Sequence, residues 1–153
     1  MQNTLTLLKD WGIRRSLTRD AVLVVLGSLL LTLSAKVQVP FWPVPMTMQT
    51  FVVLMLGAHA GFRIAAPTVA LYLIEGAVGL PVFSTGAGLA FMAGPTGGYL
   101  LGFLVSALVV SALFAKGLGR NLPVAVGVLV LGDALIMGLG FAWLSTLIGP
   151  EKA

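Results

Sequence analysis

Residues 79–99 read GLPVFSTGAGLAFMAGPTGGY, and this stretch decides how the rest of the chain is interpreted. It contains six glycines and two prolines but no charged residue, and it lies between two apolar segments. A surface loop of a soluble protein would carry polar residues, whereas this one keeps apolar side chains such as Phe83, Phe91 and Met92. Irregular backbone near membrane depth persists only where protein buries it or where it lines a cavity. We therefore predict that residues 79–99 form the lid or wall of a binding site held by membrane helices.

The composition indicates an all-α integral membrane protein. Of the 153 residues, 58% are hydrophobic and 9% are charged, whereas soluble domains contain about 25% charged residues. The absence of cysteine excludes disulfides and thiolate metal sites, and a single histidine, His59, provides no cluster for a catalytic metal. We therefore expect no catalytic residues, no metal, no cofactor and no enzyme activity. The net charge of +4 is assigned to membrane topology rather than to binding of nucleic acid.

The apolar segments predict a bundle of five transmembrane helices in one domain. Residues 1–20 are expected to form a cytoplasmic N-terminal segment, either a short interfacial helix or a frayed terminus. Residues 21–153 form the single transmembrane helical domain. Several of its spans are shorter than the roughly 20 residues that a perpendicular helix needs. The predicted spans are 21–39, 46–60, 64–80, 97–115 and 122–148.

The distribution of lysine and arginine predicts the orientation. With the N-terminus in the cytoplasm, seven basic residues lie inside and only Lys36 and Lys152 lie outside. Such an excess of positive charge is typical of cytoplasmic segments. This arrangement places the proline-rich stretches 36–45 and 81–94 on the same external face, above the outer halves of the second, third and fourth spans.

Small residues recur at four-residue spacing, which lets membrane helices approach closely. We interpret these stripes as contacts within the bundle, with a separate membrane partner as the alternative. The stripes are Gly57 and Gly61; Gly98, Gly102 and Ser106; and Ala134, Gly138 and Ala142.

Two acidic residues lie inside predicted spans. Glu75 falls in the outer part of the third span and Asp133 near the middle of the fifth. Intramembrane carboxylates are costly, at about 2.5–3.5 kcal/mol on insertion scales, and mark functional sites by default. The alternative for each is a structural hydrogen bond that joins two helices.

Other polar and aromatic residues are candidates for contacts with a ligand. Gln49 offers donors and an acceptor, while Thr47 either faces the ligand or caps the second span. Tyr72, Phe83 and Tyr99 are aromatic walls of a site or belt residues at the interface. The Gly94-Pro95-Thr96-Gly97-Gly98 run lacks the ending of a phosphate loop, so any ATPase must be another chain.

These residues occur in motifs that resemble the BioY family, the biotin-specific S components of energy-coupling-factor (ECF) transporters. The motifs are collinear from about residue 20 to the end of the chain. Together they are specific, whereas each alone is weak. They are PVPMTMQT at 43–50, YL and EG within 72–76, GLPVF at 79–83, GPTGGYL at 94–100 with GF at 102–103, and GDALI at 132–136 with WL at 143–144.

The resemblance implies a substrate-binding subunit that captures biotin from the external face of a prokaryotic plasma membrane. The implied partners are biotin, membrane lipids, a transmembrane coupling subunit and paired ATPase subunits. It also implies six helices, and we expect the chain to stop just before the sixth, with its Gly-Asp motif and lysine. The carboxylate of biotin would then meet Lys36 or backbone amides, those of Gly86–Gly88 or Gly97–Gly98.

The chemistry of biotin fits the residues that the sequence suggests. Glu75 or Asp133 would accept hydrogen bonds from its ureido group, and Gln49 would donate to the ureido carbonyl. A mostly apolar pocket with few polar groups suits such a ligand. The alternative function is a passive small-solute channel or a membrane scaffold that binds no ligand.

Overall fold

The computed structural model describes residues 2–153, with side chains from Leu17 onward. Except for a ribbon of two short strands, its regular elements are helices. In chain order they are α1 (Gln2–Lys36), β1 (Gln38–Val39), β2 (Met46–Thr47), α2 (Gln49–His59), α3 (Phe62–Ala77), α4 (Gly88–Met92), α5 (Gly97–Ala115), a 3₁₀ turn (Leu118–Arg120) and α6 (Leu122–Ile148).

The predicted spans correspond to five of these helices, and the last two match their predicted bounds. Within the described chain, residues 17–36, α5 and α6 are long and apolar enough to cross a membrane. Helix α2 is apolar but has only 11 residues, about 16 Å of rise. The fold class is therefore all-α and membrane-embedded, while the number of crossings stays a prediction. The side chains of the predicted interfacial segment lie outside the described residues up to position 16.

Helix α5 is the centre of the bundle, because it packs against α2, α3 and α6. Its interface with α6 is the closest of these. A Cβ atom built on Gly98 would lie 2.6 Å from the carbonyl oxygen of Leu139, and one on Gly102 would lie 2.8 Å from the Cα atom of Ile136. As the α5 numbers rise, their partners on α6 fall, so the two helices are antiparallel. The predicted stripe of small residues on α5 is confirmed as a helix contact.

The predicted contact stripe on α6 is wrong for the described bundle. Ala134, Gly138 and Ala142 are exposed, and a Cβ atom on Gly138 would meet nothing within 4 Å. The face that packs on α5 instead contains Gly132 and Gly140, both buried. Four-residue spacing occurs on both faces of α6, so the spacing alone could not identify the packed one.

Polar contacts join α1 to α3 at two levels. At one end, the carboxylate of Asp20 lies 3.5 Å from the guanidinium of Arg63, at the start of α3. Eight residues further along α1, the buried hydroxyl of Ser28 donates a hydrogen bond to the Glu75 carboxylate. These contacts fix how far α1 can slide or rotate against α3.

The two proline-rich stretches meet at one end of the bundle, as predicted. The strands β1 and β2 pair antiparallel, with Gln38 opposite Thr47. The ammonium of Lys36 donates a hydrogen bond of 2.7 Å to the carbonyl oxygen of Phe83, in the stretch 81–94. The indole N–H of Trp143 on α6 donates to the carbonyl oxygen of Gly94 at 2.9 Å. Both ends of that stretch are therefore tied to membrane helices.

Candidate functional site

A cavity of about 460 Å³ lies where these two stretches meet the bundle. This volume is in the range that binds small molecules, roughly 300–1,000 Å³. Helices α2, α5 and α6, the strand β2 and the stretch 81–94 all contribute to its wall. The lining residues are Val44, Pro45, Met46, Thr47, Gln49, Thr50, Ser84, Phe91, Thr96, Tyr99, Leu100, Phe103, Asp133 and Met137.

Four of the nine predicted site residues line this cavity: Thr47, Gln49, Tyr99 and Asp133. The sequence separates these residues by up to 86 positions, and the fold brings them together. Asp133 contributes the one ionisable carboxylate among the described lining residues. It forms no ion pair there, and no described side chain donates a hydrogen bond to it. Its oxygens are therefore available to accept hydrogen bonds from a ligand.

Gln49 is held in place by a chain of hydrogen bonds that leads away from the cavity. Its side-chain amide donates to the hydroxyl of Tyr72 at 2.6 Å, and that hydroxyl donates to the carbonyl oxygen of Val82 at 3.1 Å. The Thr47 hydroxyl donates to the Gln49 side-chain oxygen at 3.3 Å and accepts from the backbone N–H of Gln49 at the same distance. Thr47 therefore lines the cavity and accepts a hydrogen bond from the first residue of α2, but the N-cap position of that helix is Met48 and not Thr47. Its contact with a ligand stays a prediction.

Tyr72 and Phe83 lie one layer behind the cavity wall. Both are fully buried, and their rings meet edge to face with centroids 5.5 Å apart. Phe83 stacks on Phe91 at 5.1 Å, and Phe91 itself lines the cavity. Such aromatic pairs add about 0.5–1.5 kcal/mol beyond burial. The two predicted aromatic residues thus support the wall rather than form its surface.

Glu75, Gly86 and Gly88 also lie outside the lining. The Glu75 carboxylate meets Ser28 between α3 and α1, which corresponds to the structural alternative considered from the sequence. A Cβ atom on Gly86 would lie 2.6 Å from the ring of Phe91. Gly88 begins α4 with φ of +84°, a conformation that glycine adopts without strain. Their assignment as ligand contacts stays a prediction.

The structure adds lining residues that the sequence interpretation missed, among them Thr50, Ser84, Thr96 and Met137. Helical phase could have identified some of them. Thr96, Tyr99 and Phe103 follow the i, i+3, i+7 spacing of one helix face, and Asp133 and Met137 are one turn apart. Once Tyr99 and Asp133 were candidates, their neighbours at this spacing were candidates too.

The cavity suits a ligand with an apolar body and a few polar groups. Leucine, phenylalanine, methionine, valine and proline side chains form much of the wall, while hydroxyl groups, one amide and one carboxylate supply the polar contacts. A second cavity of about 470 Å³ opens at the other end of the bundle, near His59 and Arg120. It lacks a carboxylate and is lined mainly by glycine and alanine at helix ends.

We predict that Tyr72→Phe destabilises the fold. The substitution leaves the Gln49 amide and the Val82 carbonyl without their partner, which costs about 1–3 kcal/mol for a buried polar group. Thermal unfolding of the purified protein in detergent measures the effect. Tyr99→Phe is the control, because the Tyr99 hydroxyl bonds to no described residue. Equal melting temperatures for the two variants would contradict the bracing role of Tyr72.

Comparison with known proteins identifies relatives along most of the chain. The family model described as "BioY family" matches residues 1–152. A probable biotin transporter BioY from Pyrococcus horikoshii is 35% identical over 136 residues, covering 88% of this chain and 80% of that protein. The biotin transporter BioY from Thermotoga maritima is 38% identical over 111 residues, covering 72% of this chain and 66% of that protein. These relatives are transport proteins and not enzymes.

A solved structure shares the fold. It is a crystal structure at 2.1 Å of the S-component for biotin from an ECF-type ABC transporter, and it superposes with a TM-score of 0.77. The match covers 89% of this chain and 76% of that chain at 21% identity, so it supports the fold alone. With the family model matching nearly every residue and the relatives above 30% identity, the chain belongs to the BioY family.

Proposed function

We propose that this protein is the substrate-binding membrane subunit of a biotin uptake system and binds biotin in the cavity between α2, α5 and α6. Family membership supports biotin as the ligand class, because the relatives are named as biotin transporters. The observation that carries the proposal is the 460 Å³ cavity, apolar except for hydroxyl groups, the Gln49 amide and the unpaired Asp133 carboxylate.

The chemistry of biotin matches this distribution of groups. Its fused rings are apolar, its ureido group has two N–H donors and one carbonyl, and its tail ends in a carboxylate. Asp133 accepts from the ureido N–H groups, since a carboxylate is an acceptor only and makes the stronger, charge-assisted bonds. The second N–H of the Gln49 amide donates to the ureido carbonyl, because the first is occupied by Tyr72.

We also propose which partner subunits energise uptake and in which membrane the protein lies. Neither a phosphate loop nor another nucleotide-binding motif occurs in the sequence. Any ATPase that drives uptake is therefore another chain, and the likeness to an S-component of an ECF-type ABC transporter supports a transmembrane coupling subunit and paired ATPase subunits as the partners. We place the protein in the plasma membrane of a prokaryote, with the N-terminus in the cytoplasm and the cavity opening to the outside.

The orientation is testable with single cysteines, because the chain contains none. We predict that Gly86→Cys and Lys152→Cys react with an impermeant maleimide in intact cells, whereas Arg63→Cys and Lys116→Cys react only after lysis. The reason is the excess of positive charge at the end that carries Arg63. Labelling of Lys116→Cys from outside intact cells would reverse the assignment.

A flux experiment separates the proposed function from a passive channel. Proteoliposomes that contain only this protein are expected to hold labelled biotin at saturable sites without releasing a preloaded gradient. Binding at one site per chain with no leak supports the proposal. Rapid, non-saturating loss of the gradient would establish the channel instead. The absence of both binding and flux would indicate a scaffold.

A further inference from the structure

The hydroxyl of Thr96 lacks the hydrogen bond that many serine and threonine hydroxyls make inside a helix. Six other described hydroxyls donate to a carbonyl oxygen three or four residues earlier on their own helix, at 2.6–3.0 Å. These are Thr32, Ser34, Thr68, Ser111, Ser145 and Thr146. Thr96, at the N-cap of α5, makes no such bond, and its oxygen is buried without a partner in the described chain.

Thr96 differs by its location from Ser106, the other described hydroxyl that is buried without a partner. Ser106, also on α5, is fully buried and its oxygen likewise has no partner among the described residues. Ser106 lies in the seam between α5 and α6, about 2.9 Å from a Cβ atom built on Gly132, and it does not line the cavity. Thr96 lines the cavity. A buried polar group without a partner is costly, and a bound ligand supplies one.

The two ends of the cavity favour different groups of a ligand, N–H donors at one end and an anion at the other. Gly132 on α6 adjoins Ser106 on α5, and Ser106 is ten residues beyond Thr96. The neighbouring Asp133 is therefore displaced from Thr96 along the helix axis by about 15 Å of helix rise. The carboxylate of Asp133 repels an anionic group and attracts N–H donors. Thr96 lies away from that charge at the start of α5, the end of the helix where partial positive charge favours an anion.

We infer that the Thr96 hydroxyl donates a hydrogen bond to the carboxylate of bound biotin while the ureido group lies at Asp133. The inference rests on the proposed function and gives the ligand a direction: rings deep beside Asp133, tail toward the start of α5. It also assigns Thr96 a part in specificity, because an analogue without the carboxylate leaves the hydroxyl unpaired.

Replacement of the hydroxyl at nearly constant shape tests the inference. Thr96→Val is expected to weaken biotin binding by at least tenfold, about 1.4 kcal/mol, with an unchanged or slightly higher melting temperature. The stability expectation follows because the free protein loses an unpartnered polar group. Thr96→Ser retains the hydroxyl and should bind within about threefold of the wild type, on the order of 0.7 kcal/mol.

Ser106→Ala is the matched control, because it also removes a buried, unpartnered hydroxyl from α5 but one that lies outside the cavity. It should leave the affinity for biotin unchanged. The second arm uses biotinol, in which an alcohol replaces the carboxylate. Thr96→Val should weaken biotinol binding by less than threefold, because the charge-assisted bond is already absent from that complex.

The outcomes separate this inference from the proposed function. Wild-type protein that does not bind biotin overturns the proposed function. Wild-type protein that binds biotin, with Thr96→Val binding equally well, overturns only the role of Thr96. Equal losses for biotin and biotinol place the hydroxyl against another part of the ligand and overturn its assignment to the carboxylate.

Discussion

Asp133→Asn is expected to weaken biotin binding about 10–100-fold, which is about 1.4–2.7 kcal/mol. The carboxylate lines the cavity and has no ion-pair partner in the described chain, so its acceptor capacity is available to the ligand. Hydrogen bonds to a charged group contribute about 1.5–3 kcal/mol, and the amide replaces one of the two acceptor oxygens with an NH₂ donor that cannot accept from a ureido N–H. Titration calorimetry of the purified protein measures the change. The melting temperature without ligand should not fall, because no described contact is lost.

Glu75→Gln is the matched control for this substitution. It makes the same change of a carboxylate to an amide on another helix of the bundle, but Glu75 accepts a hydrogen bond from Ser28 and does not line the cavity. We expect a lower melting temperature and an unchanged affinity per folded molecule. The opposite pattern, with Glu75→Gln abolishing binding and Asp133→Asn leaving it intact, would exchange the roles of the two acids.

Of the substitutions proposed for this protein, Gly102→Leu is expected to cause the largest loss of stability. A Cβ atom on Gly102 would lie 2.8 Å from the Cα atom of Ile136 and 3.1 Å from its carbonyl oxygen, so backbone would have to move. Because membrane helices associate through close packing, separating α5 from α6 removes their main contact. We expect a destabilisation on the order of 3 kcal/mol. Thermal unfolding and the monodisperse fraction on size-exclusion chromatography report it.

Gly138→Leu provides the control on the opposite face of α6. A Cβ atom there meets nothing within 4 Å, and the position is exposed in the described bundle. The leucine should be accommodated with little change in melting temperature. Destabilisation of Gly138→Leu as large as that of Gly102→Leu would mean that the exposed face of α6 is packed in the purified protein.

The bounds of a helix were predictable where the hydropathy pattern and a residue typical of helix ends mark the same position. Gly97 begins α5, and Asn121 followed by Leu122 begins α6, at the positions expected from the sequence. The start of α2 was not predictable to the residue. Met46 and Thr47 are apolar and small enough to continue a helix, but they pair with Gln38 and Val39 in a two-stranded ribbon. That pairing depends on how α1 returns toward α2, which local sequence does not specify.

The kinds of residue that form the site were predictable from the sequence, but which individual residues line the cavity was predictable only in part. Asp133 and Glu75 both lie inside predicted spans, and only tertiary packing shows that Ser28 donates a hydrogen bond to Glu75. Tyr72 and Phe83 were expected at the surface of the site. Their positions one layer behind it follow from the helical phase of α3 and from the fold of residues 81–87, which no periodic pattern encodes. Thr96 was visible only as part of a glycine-rich motif.

Calorimetric titration of the wild-type protein in detergent with biotin, desthiobiotin and lipoate tests biotin binding at the Asp133 cavity without any substitution. We expect saturable binding of one biotin per chain. Desthiobiotin, which keeps the ureido group and the carboxylate, should bind within about tenfold of biotin, on the order of 1.4 kcal/mol. Lipoate, which lacks the ureido group for Asp133, should bind at least about 100-fold more weakly, 2.7 kcal/mol. Folded, monodisperse protein that binds no biotin would overturn the proposed function, and equally tight binding of lipoate would overturn recognition of the ureido group by Asp133.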